Sequence, residues 1–169
     1  MIRKMTSTSA LLLVACLLIV ANPKPNFSGA WIMDRDRSFG QPANMQQTMT
    51  VTQTEDQITV EMKLTLPDNE RTVKDTYVLD GKEYEFTPPL PLNAPHNTPP
   101  AKGKRTANWL PNANGILVTE VITNETPKGP ATTQLMRKWT FTAEGELTIT
   151  TFVDAPNGSY ESKRIFLKQ

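Results

Sequence analysis

The sequence predicts an all-β protein, an antiparallel up-and-down β-barrel of about 8–10 strands. Three observations carry that expectation. From Pro25 onward, apolar residues recur at every second position in runs of roughly six to ten residues, with no helical period. Turn chemistry separates the runs, and the chain holds 8 glycines and 14 prolines to supply it. Most links are short, which makes consecutive strands antiparallel neighbours, and a sheet this long loses its exposed edges only by closing on itself.

Taken in order, the 169 residues begin with a leader, residues 1–21, and continue as one domain over 22–169. Arg3 and Lys4 precede a Ser/Thr spacer and an apolar run from Ala10 to Val20. That run is about half of the ~20 residues a membrane-spanning helix needs, and it matches the core of a secretory signal peptide cleaved after Ala21. The domain is therefore expected to be periplasmic or secreted. Leu13-Val14-Ala15-Cys16 also resembles a bacterial lipobox, so the alternative is an envelope protein anchored through a lipid on Cys16. That lipid is the only membrane attachment the sequence suggests. Cys16 is the sole cysteine, which leaves the mature domain no disulfide, no thiolate nucleophile and no cysteine-zinc site.

Strand one runs from Phe27 to Met33, with Phe27, Gly29, Trp31 and Met33 on one face. Asp34 to Asn44 reads as a polar link, and Gln47 to Gln53 alternates through Met49 and Val51. The cleanest strand sets Ile58, Val60, Met62, Leu64 and Leu66 against Thr59, Glu61, Lys63 and Thr65, one dry side and one wet. Arg71 to Leu79 follows and ends at Asp80-Gly81, a hairpin signal because both positions tolerate positive φ; Lys82 to Phe86 is its expected return strand. Prolines 88, 89, 91, 95, 99 and 100 then break the pattern, giving a long loop that is a solvated excursion, a lid or a binding loop. Strands resume at Lys104–Leu110, Ile116–Thr123, Thr132–Thr142, Leu147–Val153 and Tyr160–Leu167, with turns at Asn112–Gly115, Pro127–Pro130, Ala143–Gly145 and Pro156–Gly158.

Phe27-x-Gly29-x-Trp31, placed at the start of the first strand, resembles the N-terminal signature of lipocalins and fatty-acid-binding proteins, the calycin barrels. The leader, the Asp-Gly-Lys turn and a last strand ending in Phe-x-Lys also resemble exported bacterial proteins of lipocalin-like type. The resemblance implies a barrel whose base is closed by Gly29 and Trp31, with a cation of the last strand over the indole; the matching position is Arg164. Three features depart from it. Asp34 to Asn44 is too short for the helical pair of the intracellular binders, their terminal Arg-x-Tyr stands here as Arg164-x-Phe166, and the secreted lipocalins' disulfides are missing.

Charges interrupt the dry faces. At strand spacing, Asp75 lies between Val73 and Tyr77, Glu120 between Val118 and Ile122, Arg137 between Leu135 and Trp139, and Arg164 between Ser162 and Phe166. A lone buried charge is costly, so each must pair, reach water or meet a ligand. One outcome is a set of internal ion pairs; the other is a polar floor in an apolar cavity that orients an amphipathic ligand. The candidate ligand-binding residues are Tyr77, Tyr84, Glu120, Arg137 and Trp139. Trp31, Trp109 and Trp139 also fit a plain core role, and Tyr77 and Tyr84 fit cross-strand packing.

Other classes fare worse. Formal net charge is +1, and −1 once Arg3 and Lys4 leave with the leader, so no basic excess exists for nucleic acid. His96 is the only histidine, so zinc sites and serine-histidine machinery lack their parts, and no catalytic residue, metal ligand or cofactor is assigned. Asp34-x-Asp36-x-Ser38 lacks the glycine and glutamate of a calcium loop. The expected function is non-catalytic binding of a small hydrophobic or amphipathic ligand. The alternative is a structural or protein-interaction module of the cell envelope with a filled interior. A cavity of about 300 Å³ or more favours the first, and a packed interior the second. Oligomeric state is not legible.

Overall fold

The alternating runs form ten strands: β1 Gly29–Phe39, β2 Gln46–Gln53, β3 Gln57–Leu66, β4 Asn69–Val78, β5 Tyr84–Phe86, β6 Lys102–Trp109, β7 Gly115–Thr126, β8 Gly129–Phe141, β9 Leu147–Ala155 and β10 Gly158–Lys168. The structure, a computed structural model, describes residues 23–90, 98–127 and 129–169; the leader with Cys16, and His96 with Pro91 and Pro95, lie outside the described residues. The strands make one antiparallel sheet in the order β4-β3-β2-β1-β10-β9-β8-β7-β6-β5. Sequential strands pair, except β4 with β5, mostly through short turns, while β1 and β10 meet in the middle of the sheet with Trp31 opposite Lys168.

The sheet is strongly curled and open, a half-barrel rather than the closed barrel expected. Its two edges are β4 and β5. The predicted Asp80-Gly81 hairpin is the point of departure. Gly81 has the expected positive φ of 73°, and the Asp80 carboxylate accepts the Lys82 amide at 2.9 Å. The chain leaving that turn nevertheless crosses to β6 instead of returning along β4. Gly81 N–H donates to the Ala107 carbonyl at 3.0 Å, and Tyr84, Glu85 and Phe86 pair with Arg105, Lys104 and Gly103. With three residues in β5 and prolines 88 and 89 after it, too few donors remain to ladder against β4.

Strand β1 is longer than expected, because the first part of the presumed polar link, Asp34–Phe39, is a bulged continuation of it; only residues 40–45 connect it to β2. Asp34 faces Ile165 and Phe39 faces Lys163, so the register slips between them. The Asp34 carboxylate accepts the amides of Asp36 and Arg37 and the Arg37 Nε–H, the last at 2.7 Å. Ser38 Oγ accepts the Ile165 amide at 3.0 Å and thereby carries the ladder past the slip. The Arg37 fork also reaches Glu146 at 2.7 Å, so these acids serve a structural turn.

The inward faces enclose the core. Phe27, Trp31, Ile58, Val60, Ile116, Val118, Trp139, Leu147 and Phe166 are essentially removed from solvent, and each fully buried side chain of this kind stabilises the fold by about 1.5–3 kcal/mol. One end is plugged by aromatics centred on Phe27, whose ring lies 5.0 Å from Phe141, 6.0 Å from Trp139 and 6.4 Å from Trp109. The Trp31 indole N–H donates to the Phe27 carbonyl at 3.0 Å, so Trp31 anchors the plug rather than forming it alone.

Candidate functional site

Cross-strand register fixes which inward residues meet. Arg164, Ile149, Trp139 and Ile116 are successive partners from β10 to β7. One row away lie Ser162, Thr151, Arg137 and Val118, and beyond it Leu135, Glu120 and Arg105. The curl then swings β4 across, bringing Asp75 and Tyr77 over these rows.

The charges form one connected cluster with Glu120 at its centre. This carboxylate is 1% exposed. Its Oε1 takes the Arg105 Nε at 2.6 Å and Nη2 at 2.5 Å, and its Oε2 is held by Arg137. Arg105 continues to Asp75 Oδ1 at 3.1 Å and to the Thr76 carbonyl at 3.3 Å, spanning the seam between β6 and β4 where no ladder exists. Its guanidinium lies 3.9 Å from the Phe86 ring and 4.6 Å from the Tyr77 ring, a stacked setting that only the planar arginine head fits. Burial pushes the Tyr77 hydroxyl up to about 12. Burial works against the charge on Arg137, but Glu120, Tyr77 and Asp75 more than offset it and its pKa is raised.

Arg164 stands apart. Its Nε is buried without a protein partner among the described residues, and burial together with the like charge of Arg137 lowers its pKa. It lines a cavity of about 140 Å³ on the concave face. Val60, Met62, Leu64 and Trp139 make the apolar walls, and Tyr77 and Pro89 also border it. Gln47, Asp75, Arg137 and Arg164 bring polar groups to the same space. Gln47 is 1% exposed, and among the described residues neither its amide oxygen nor its nitrogen has a protein partner; the same holds for the Trp139 indole nitrogen. A larger open groove of about 580 Å³ follows the outer β5–β6 edge past Phe86, Lys102 and Lys104, but among the described residues it holds no buried unpartnered group.

Of the residues singled out in the sequence, Asp75, Tyr77, Arg137, Trp139 and Arg164 border the cavity. Glu120 is not part of its lining but holds Arg137, which is. Tyr84 lies elsewhere: it is 42% exposed on the edge strand and donates to Asp80 at 2.9 Å. The cation over Trp31 is Lys168, its Nζ 5.7 Å from the ring centroid, and not Arg164. Register explains the difference, because Trp31 faces Lys168 directly, four residues beyond Arg164. Gly29 belongs to that arrangement. It has φ +142°, and a Cβ there would stand 2.9 Å from the Lys168 Cε that crosses it.

Two residues of the site escaped the sequence reading. Gln47 alternates with Met45, Met49 and Val51, so its inward direction was readable. Arg105 alternates with Gly103 and Ala107, which give almost no apolar signal. No protein-family model and no curated protein sequence matches the chain.

Proposed function

We propose that this protein is an exported, lipocalin-like binding protein that holds a small hydrophobic or amphipathic molecule without transforming it. The observation that carries the reading is the concave cavity: apolar walls bordered by several polar residues, three of which (Gln47, Trp139 and Arg164) have buried atoms without protein partners among the described residues. Binding sites combine an apolar lining with a few convergent polar groups that orient the ligand. Its volume of about 140 Å³ falls short of the ~300 Å³ that favours a carrier, so the mixed apolar and polar lining, not the size, supports the reading, and the occupant is a small molecule or one part of a larger one. The test is native mass spectrometry of the protein purified from its own host, followed by titration of the released compound. We expect one bound small molecule and a weaker complex with Arg137→Met when the ligand is anionic. An empty protein that takes up none of a panel of small amphipaths refutes the reading.

A second reading is favoured by how much of the interior the aromatics occupy. Phe27, Trp109, Trp139 and Phe141 fill the plugged end, which suits a structural or protein-interaction module of the envelope.

A further inference from the structure

The sheet stops at β4 on one side and at β5 with β6 on the other, and no ladder joins the two banks. Register shows what the β4 bank presents. Leu79 N–H donates to the Asp56 carbonyl at 2.7 Å, in line with the Gln57–Val78 pair. Backbone direction alternates along an antiparallel strand, so Val73, Asp75 and Tyr77 bond β3 while Thr72, Lys74 and Thr76 turn their backbone groups toward the seam. Two arginines, one from each bank, bridge it in place of a ladder. Arg105 of β6 reaches Asp75 Oδ1 at 3.1 Å and the Thr76 carbonyl at 3.3 Å. Arg71 of β4 donates from Nη1 to the Leu90 carbonyl, in the segment that follows β5. Prolines 88 and 89 of that segment have no N–H to give β4. Side-chain bridges of this kind open more readily than the ladders on either bank. Both banks border the concave cavity, Val73, Asp75 and Tyr77 from β4 and Pro89 from the β5 side. The deep wall of Val60, Tyr77 and Trp139 is shut off from solvent, whereas Val73 and Asp75 are half-buried and Pro89 is exposed. Entry from the plugged end is barred by the rings packed around Phe27.

We propose that the half-barrel opens along this seam, with Arg71 and Arg105 as its two clasps, and that the opening admits water and small solutes to the concave cavity. Access of this kind does not depend on what the cavity holds, and so goes beyond the binding-protein reading above. Opening breaks no strand pair, because the β3–β4 and β5–β6 ladders each lie within one bank.

The test is hydrogen exchange at the indole nitrogens in heavy water, followed by NMR on the full chain with isotope-labelled tryptophan. Trp139 borders the cavity, and its buried N–H has no protein partner among the described residues, so burial alone protects it. The Trp31 N–H, bonded to the Phe27 carbonyl at 3.0 Å beside the plug, is the internal reference. We expect Arg71→Met to speed exchange at Trp139 about 3- to 10-fold, the net worth of one hydrogen bond, and to leave Trp31 unchanged. Asp75→Asn, which weakens the other clasp, should act in the same sense, and Arg71→Lys, which keeps a donor, should stay near the wild type. Arg37→Met breaks the bonds to Asp34 and Glu146, away from the seam, and should not affect Trp139. Equal acceleration at Trp31 makes the event global unfolding and overturns the inference. Acceleration at Trp139 by Arg37→Met as large as that by Arg71→Met makes it a general loosening and overturns it too. So does exchange at Trp139 that neither Arg71→Met nor Asp75→Asn changes.

Discussion

Replacing Glu120 by glutamine tests what holds the curl of the sheet. The substitution keeps shape and removes one charge at the point where Arg105 and Arg137 converge. Breaking a buried ion pair by removing one partner costs about 3–5 kcal/mol. Two features place this case at the lower end. Arg105 retains Asp75 at 3.1 Å and the Thr76 carbonyl at 3.3 Å, and the Arg137 side chain is 27% exposed. We expect Glu120→Gln to lose about 3 kcal/mol, which for a domain of this size lowers the melting temperature by about 6–12 °C. Equilibrium unfolding in urea measures it. The second arm is Glu120→Gln/Arg137→Met, which removes the cation left without an acid and should recover at least about 1 kcal/mol relative to Glu120→Gln alone. A loss under about 1 kcal/mol, or an Arg137→Met effect of the same size in both backgrounds, refutes the view that Glu120 organises the cluster.

Tyr77 supplies a pH test. Its pKa is raised from 10.0 to about 12 by burial, so its contribution is complete below pH 10 and is lost as pH rises through 12. The two-unit shift corresponds to about 3 kcal/mol. The stability gap between wild type and Tyr77→Phe should therefore shrink by up to that amount between pH 9 and pH 12 in denaturant titrations, and a constant gap counts against it. Gly115→Ala should destabilise by about 2–3 kcal/mol, because the new methyl meets the Trp139 backbone carbonyl, which cannot step aside. Gly145→Ala meets nothing within 4 Å and strains only its φ of +80°, for about 1 kcal/mol; equal losses in thermal melts contradict that ranking.

Much of this arrangement was legible in the residues, and the remainder has identifiable causes. Period-two alternation is local, so β3 could be read with its faces, and the same spacing turned Asp75, Glu120, Arg137 and Arg164 inward. Pairing is not local. Which acid meets which arginine depends on the register of four strands and on the curl that carries β4 over β6, and neither leaves a mark in any single stretch. Arg105 was lost for a different reason: between Gly103 and Ala107 its strand has little hydrophobic contrast to show a direction. The Asp80-Gly81 signal identified a real turn, yet turn chemistry does not say which strand the outgoing chain will join. Closure failed with it, because a three-residue strand followed by prolines has little to offer a partner.

The ladder between β1 and β10 also bears on how the chain reaches this state. Strands β1–β4 form one meander and β6–β10 another, each built from contacts close in sequence. They are joined at the centre of the sheet by a pairing that sets Trp31 against Lys168, nearly the full length of the domain apart. Contacts of such separation incur the loop-closure entropy before they gain anything, and they slow folding. We expect the two meanders to form before their union along β1 and β10, which makes that pairing the slow step to look for in refolding kinetics. The cavity, whose walls come from both meanders, does not exist until that union is made.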